Sequence, residues 1–425
     1  MIEERFEFTS AAKKRILTFL VAGIIALVLG IVLASTGGHH AEAGAHEGGH
    51  GAFHWSTRIL ANLWINNVYF TGIAIIGLFF VTIQYAAQAG WSAPIIRIPL
   101  AFSNWLPYAG VLMLGVFLLS GHKLFHWADH SVYEVGGAHY DAILDGKKAF
   151  FFWPLTDHPN IPVFFLARMV AYFVIWIVFF QLIKKYSQQE DINGGDSYWY
   201  IIRKYSAMFL VLFAITSSTS AWDWVMSADP HWFSTMFGWY VFASWWVTGL
   251  ALIALIVVNL KDAGYLKMVN SNHLHDLGKF VFAFSIFWTY IWFSQFLLIY
   301  YANIPEETIY FVERLKSDKY APVFFMNLFL NFVLPFLILM TRDAKRHAMF
   351  LKIVCTLVIV GHWFDFYLMF TPGMLKENGG FGFMEVGLFL IYGSAFMYVM
   401  LNGLSKMGLV AKNHPMLEES LHHHI

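Results

Sequence analysis

Apolar runs of about twenty residues recur along the chain, each long enough to cross the ~30 Å hydrocarbon core of a bilayer, and the charges collect between them. They predict ten helices, at 16–34, 57–88, 99–120, 161–185, 203–226, 231–260, 277–301, 321–341, 349–370 and 379–405. The fold expected is all-α, a polytopic integral membrane protein of ten transmembrane helices arranged as two four-helix bundles plus two flanking helices. Residues 1–56 then hold the first flanking helix and a long outer loop, 57–228 the first bundle, 229–372 the second, and 373–425 the last flanking helix and a tail. The first run follows Lys13, Lys14 and Arg15, but it is too long for the core of a signal peptide and no small-x-small cleavage site follows, so it is read as a retained helix.

Between the bundles lies a short polar turn within Thr216–Tyr240, TSSTSAWDWVMSADPHWFSTMFGWY. Before it, Thr216, Thr219, Ser220 and Asp223 share one helical face, a polar stripe that is out of place against lipid. At the turn, Asp229 followed by Pro230 suits a helix N-cap with proline at the first position. Trp222, Trp224, Trp232, Trp239, Trp245 and Trp246 bracket it, as aromatic residues do near a membrane interface.

Basic residues give the orientation. With the N-terminus inside, most of the 27 Lys and Arg fall in inward segments, among them Lys13, Lys14, Arg15, Lys184, Lys185, Arg342, Lys345 and Arg346, while the central turn holds none. The positive-inside bias therefore places both termini in the cytoplasm. Four segments outside the spans have character of their own. Residues 37–54 form a Gly/Ala/His loop with His39, His40, His46, His50 and His54, whose spacing fits no defined metal site and reads as solvated chain. The stretch 121–160 has room for a short interfacial helix, and 302–320 mixes acids, bases and aromatics as a docking surface for an extracytoplasmic partner would. The tail ends in three histidines before Ile425, from which no function is read.

Composition agrees with the span pattern and removes several chemistries. Of 425 residues 58% are hydrophobic and 13% charged, and the net charge of zero gives no sign of nucleic-acid binding. The single Cys355 excludes an iron–sulfur cluster, an internal disulfide and attached haem c. Haem b needs two imidazoles at matched depth on different helices, and only His122, His126 and His362 are candidates, so it too is disfavoured. No catalytic residue and no metal site is assigned. Any redox centre must belong to a partner or be a diffusible quinone.

Charged groups inside hydrocarbon cost about 2.5–3.5 kcal/mol each on insertion scales, so each needs a counterpart or a task. Arg168 is the costliest, about 10 Å from the outer end of its helix. Asp223, and His122 with His126 one turn apart, reach a similar depth. The arginine can be a structural clamp, a ligand for a quinone oxygen or a proton relay. In the second bundle His362 and Asp365 stand at i and i+3 and can pass protons near neutral pH. Tyr290 with Ser294 and Gln295, Asn327 with Asn331, and Asn62, Asn66, Asn67 and Thr71 supply further polar groups, for most of which interhelical hydrogen bonding suffices. Proton-path candidates are thus Arg168, Asp223, His362, Asp365 and Tyr290. A quinone headgroup would instead be held by His122, His126, Arg168 and Asp223. These groups concentrate in the outer halves of the spans, and the inner halves read as drier.

Ser220–Tyr240, Phe287–Glu307 (FWTYIWFSQFLLIYYANIPEE), Gly361–Tyr367 (GHWFDFY) and the His-rich loop together resemble the NrfD-like membrane subunits, the family of the polysulfide reductase membrane subunit. Within it the chain is most similar to the second and shorter such subunit of alternative complex III, a bacterial quinol:cytochrome c or quinol:oxidase oxidoreductase. The resemblance implies a subunit of the bacterial inner membrane with no redox centre of its own. Haem c and iron–sulfur clusters would lie in multihaem cytochrome and iron–sulfur partners, with a second NrfD-like subunit and a terminal oxidase as further neighbours and menaquinone as the quinone. It further implies a scaffolding role and a proton half-channel, for which the matching positions are Arg168, Asp223, His362 and Asp365. Two rivals are a direct menaquinol-binding subunit and a secondary transporter, the latter expected to show helices broken at mid-membrane.

Overall fold

The computed structural model describes residues 4–37, 55–157 and 159–424. It is 79% helical, with no strand among the described residues, and ten of its helices are long and apolar enough to cross a membrane. We number the helices α1 Ser10–Thr36, α2 Trp55–Ala86, α3 Arg97–Leu124, α4 Ala142–Phe152, α5 Val163–Asn193, α6 Ser197–Trp224, α7 Phe237–Asp262, α8 Ser271–Ala302, α9 Pro305–Lys316, α10 Ala321–Ile338, α11 Ala348–Leu375 and α12 Phe383–Leu404. α4 and α9 do not span. The multi-pass, all-α expectation holds, and α4 is the short helix expected within 121–160. His39, His40, His46, His50 and His54 lie outside the described residues.

The three spans most enclosed by others are α2, α7 and, to a lesser degree, α11. α2 packs against α3, α6, α7, α11 and α12, whereas α1 leans on α12 and leaves Leu17, Phe19, Ile25 and Leu33 outward. Close packing along this axis requires small residues. A Cβ on Gly72 would lie 1.9 Å from the Trp245 ring and one on Gly387 2.6 Å from the Leu27 amide, so α2 meets α7 backbone to side chain and α1 meets α12 backbone to backbone.

The connections lie at two ends. One, the loop-rich end, carries 125–162, 225–236, 303–320 and 376–382. The other carries both termini, where Leu409 donates its amide to the Glu4 carbonyl at 2.9 Å. The tail is stitched across this terminal end. Asn413 donates to the carbonyls of Glu190 and Asp191, and the His423 carbonyl accepts from Asn270 and Asn272. His423 Nε2 also meets Asp276 at 2.6 Å, so one of the three terminal histidines is part of the docking.

Two prolines shape the helices around the site. Pro335 has no N–H for the Asn331 carbonyl four residues back, and the ladder there widens into a π-helical turn at Phe329–Val333. Pro372 sits inside α11 and leaves the Leu368 carbonyl without its helical donor. The predicted start of α7 needs correction. Asp229 does not cap it. The Asp229 carboxylate turns toward Arg314, while Trp232 stacks on Tyr310 at 4.0 Å and donates to the Glu307 carbonyl at 3.1 Å, so 229–236 stays irregular and α7 begins at Phe237.

Candidate functional site

A connected set of buried polar side chains sits in the loop-rich half of the second bundle, around Asp365. This carboxylate is fully buried on α11. Its Oδ1 accepts from the Tyr240 hydroxyl of α7 and from Asn327 Nδ2 of α10 at 2.8 Å, and its Oδ2 accepts from Trp288 Nε1 of α8 at 2.9 Å. Four helices thus converge on one side chain. His362, three residues earlier and also fully buried, places Nδ1 3.7 Å from Asp365 Oδ2 and 3.0 Å from Ser244 Oγ, while its Nε2 has no partner. Tyr240 and Ser244 are one turn apart on α7, so a single face of that helix serves both members of the pair.

The set extends in both directions along α10 and toward the loops. Asn331 donates to Asn327 at 2.5 Å, on the π-helical turn. Its carbonyl-side oxygen comes so close to α11 that a Cβ on Gly361 would lie 2.2 Å from it. Toward the loop-rich end, a cavity of about 10 Å³ is lined by Tyr240, Gln295, Tyr310, Arg314 and Asn327. That is about the space one water needs, and its walls offer the polar partners such a water requires. Beyond it Arg314 is only 2% exposed and lies 3.3 Å from the Tyr310 ring centroid, with Nη2 3.7 Å from Asp229. Its Nε donates to the Leu368 carbonyl at 3.0 Å and its Nη2 to that of Met369 at 3.3 Å, supplying the donor that Pro372 lacks. Burial pushes the Tyr310 hydroxyl up to about 12. Burial, and then repulsion from Asp229, raise the Glu313 carboxyl above its ordinary value.

Arg168 and Asp223 do meet. Nε and Nη2 of Arg168 donate to the two Asp223 oxygens at 2.8 and 2.6 Å, and the Tyr172 hydroxyl donates to Oδ2 at 2.7 Å. The guanidinium lies between the rings of Phe150 and Phe164, 4.2 and 4.4 Å from their centroids, and Nη1 donates to the Phe150 carbonyl at 2.8 Å. Every direction of this pair is used to hold α4, α5 and α6 together. A groove of about 440 Å³ runs beside it, lined by Lys147, Phe150, Trp222, Met226, Trp232 and Phe233.

The other expected members are placed elsewhere. α3 ends at Leu124, so His122 and His126 are not successive residues of one helical face. His122 is exposed at the helix end, and His126 begins a separate turn, His126–Ala128. There it faces Asp141 and His231. Tyr290 is 64% exposed on the outward side of α8, and Trp288 takes the inward position beside Asp365. The segment 302–320 is only partly a surface, because Tyr310, Phe311 and Arg314 of α9 turn inward.

Sequence reasoning missed Arg314, Tyr240 and Trp288, and a second interhelical ion pair. Arg58 donates from Nε and Nη2 to the buried Glu385 at 2.6 Å each, and Asn62 adds 2.9 Å, tying α2 to α12. The signal available for it was a base near the outer start of one predicted span and an acid near the outer start of another. No protein-family model matches the chain, and neither does any curated protein.

Proposed function

We propose that the chain is an NrfD-like membrane subunit of a bacterial quinol-oxidising respiratory complex, similar to the second, shorter such subunit of alternative complex III. In this reading it has no redox centre of its own. Iron–sulfur and multihaem c subunits carry the electrons from menaquinol, a second NrfD-like subunit and a terminal oxidase complete the assembly, and this chain scaffolds the membrane part. Both termini lie in the cytoplasm of a bacterial inner membrane, so the loop-rich end faces the extracytoplasmic partners.

To that scaffold we assign a proton half-path from the loop-rich face to Asp365. What carries this reading is the convergence of Tyr240, Trp288, Asn327 and His362 on one buried carboxylate, with a water-sized cavity between it and Arg314. A carboxylate held this far from lipid and water is costly to keep without a task. Hydroxyl, water, imidazole and carboxylate are the groups that exchange protons along a chain. The test uses the intact complex with Asp365→Asn and, as a milder change, Tyr240→Phe. Electron transfer from quinol to acceptor should persist while the number of protons moved per electron falls. An unchanged proton-to-electron ratio in both variants would refute the half-path.

Direct menaquinol binding remains as a second reading because of the groove beside Arg168 and Asp223. Both Asp223 oxygens are already engaged, so a headgroup would contact aromatic walls and Lys147 rather than the ion pair. Quinone that co-purifies with the wild-type complex and is lost with Arg168→Leu would favour it.

A further inference from the structure

At the loop-rich end, apart from the Asp365 set, three segments distant in the sequence each turn one metal-ligating side chain to the same point. His126 comes from the turn after α3, Asp141 from the start of α4, and His231 from the irregular turn before α7. One ligand atom from each lies within 4.8 Å of the others. The two imidazole rings are 5.9 Å apart between centroids, and His231 Nε2 lies 2.5 Å from Asp141 Oδ2. The carboxylate is oriented from behind. Its Oδ1 caps α4 by accepting the amides of Ile143 and Leu144 at 2.9 and 3.1 Å, which leaves Oδ2 to face the imidazoles. The His231 turn is held as well, since Lys147 Nζ donates to the Pro230 carbonyl at 2.7 Å.

We propose that His126, Asp141 and His231 form a binding site for a divalent transition metal of the zinc type. Two imidazoles and one carboxylate are the donor set that favours Zn²⁺ and its neighbours Co²⁺, Ni²⁺ and Cu²⁺ over Mg²⁺ or Ca²⁺, which prefer all-oxygen sites. Tetrahedral coordination at about 2.1 Å sets ligand atoms about 3.4 Å apart. The ion would therefore open the His231–Asp141 contact by about 1 Å and draw His126 in by a comparable amount, shifts available to side chains at a partly exposed surface. A fixed Asp141 Oδ1 is the kind of outer hydrogen bond that orients a metal-ligating carboxylate. Three protein ligands leave a fourth position for water. The consequence is a clamp. The ion would pin the turn 229–236, which carries Asp229 toward Arg314, to the segments after α3 and before α4. The site stands on these residues alone and does not depend on the respiratory assignment.

The test titrates Co²⁺ into the full-length protein, purified in detergent and stripped with a chelator, and reads the visible ligand-field spectrum together with the melting temperature. Other histidines on the chain are expected to take up metal, so the comparison is between variants. One equivalent with a histidine-ligand spectrum should weaken about tenfold or more in His126→Gln/His231→Gln. It should survive replacement of His39, His40, His46, His50 and His54 by Gln. Metal should raise the melting temperature of the wild type and not that of Asp141→Asn or His126→Gln/His231→Gln. Equal Co²⁺ uptake and equal metal-induced stabilisation in wild type and His126→Gln/His231→Gln would overturn the proposal. So would loss of that equivalent when only the loop histidines are replaced.

Discussion

Replacing Arg314 by Met isolates the link between a proline, an orphaned carbonyl and a buried cation. Methionine fills most of the same space, so the loss is chiefly polar. The Leu368 carbonyl, already deprived of its helical donor by Pro372, would lose the Arg314 Nε bond of 3.0 Å, and Met369 and Tyr310 would lose theirs. An unsatisfied buried carbonyl costs about 1–3 kcal/mol, and with the weakened setting of Asp229 the variant should lose about 3 kcal/mol. In a Pro372→Ala background the new amide can donate to Leu368, so the same change should cost about 1–2 kcal/mol less. The assay is a double-mutant cycle on thermal melts in detergent, followed by tryptophan fluorescence. If Arg314→Met costs the same in both backgrounds, the two residues do not share the carbonyl and the reasoning fails.

Further consequences follow from the same contacts. Arg168→Met should cost about 3–5 kcal/mol by leaving Asp223 buried and unpaired, whereas Arg168→Met/Asp223→Leu should recover most of that loss, a comparison made by melting temperature. Gly361→Ala should destabilise by about 1–3 kcal/mol because its methyl group meets Asn331 Oδ1, and Asn331→Ala should relieve it; additive costs would contradict the close approach. His414 accepts the Met416 amide on Nδ1, and burial, then the nearby Arg97, lower its pKa to about 4. The unfolded tail binds a proton below about 6.5 that the docked tail resists, so docking is at full strength above that pH and weakens as pH falls toward 4. Limited proteolysis should cut the tail more readily at pH 5 than at pH 7.5, and His414→Gln should flatten the difference.

How much could be read beforehand depended on whether a residue's partner left a local trace. Ten spans were legible because twenty apolar residues can do little else in a bilayer. Arg168 and Asp223 stood out as isolated charges at matching depth, and His362 and Asp365 by their i, i+3 spacing. Tyr290 went to the wrong face because α8 is apolar and aromatic all round, so periodicity gives no phase. Its inward face, Ser285, Trp288, Trp292 and Gln295, is set by the helices packed against it. Arg58 lies at the edge of its predicted span and Glu385 inside another span 327 positions away, and neither position alone points to the other. Asp229–Pro230 carried a correct local signal that tertiary contacts overrode, since Arg314 and the Trp232–Tyr310 stack hold the turn open. The histidines 126 and 231 had no spacing to betray them, because their meeting point with Asp141 is created only by the packing of α3, α4 and α7.

The most direct test of the respiratory assignment is to purify the chain with its native neighbours from the membrane and to record their masses and the visible spectrum together. Multihaem cytochrome c and iron–sulfur subunits should accompany it in fixed ratio, with c-type haem absorption and a second NrfD-like subunit. A chain that comes away alone and colourless, and that moves a solute into liposomes by itself, would contradict the assignment and make it a transporter.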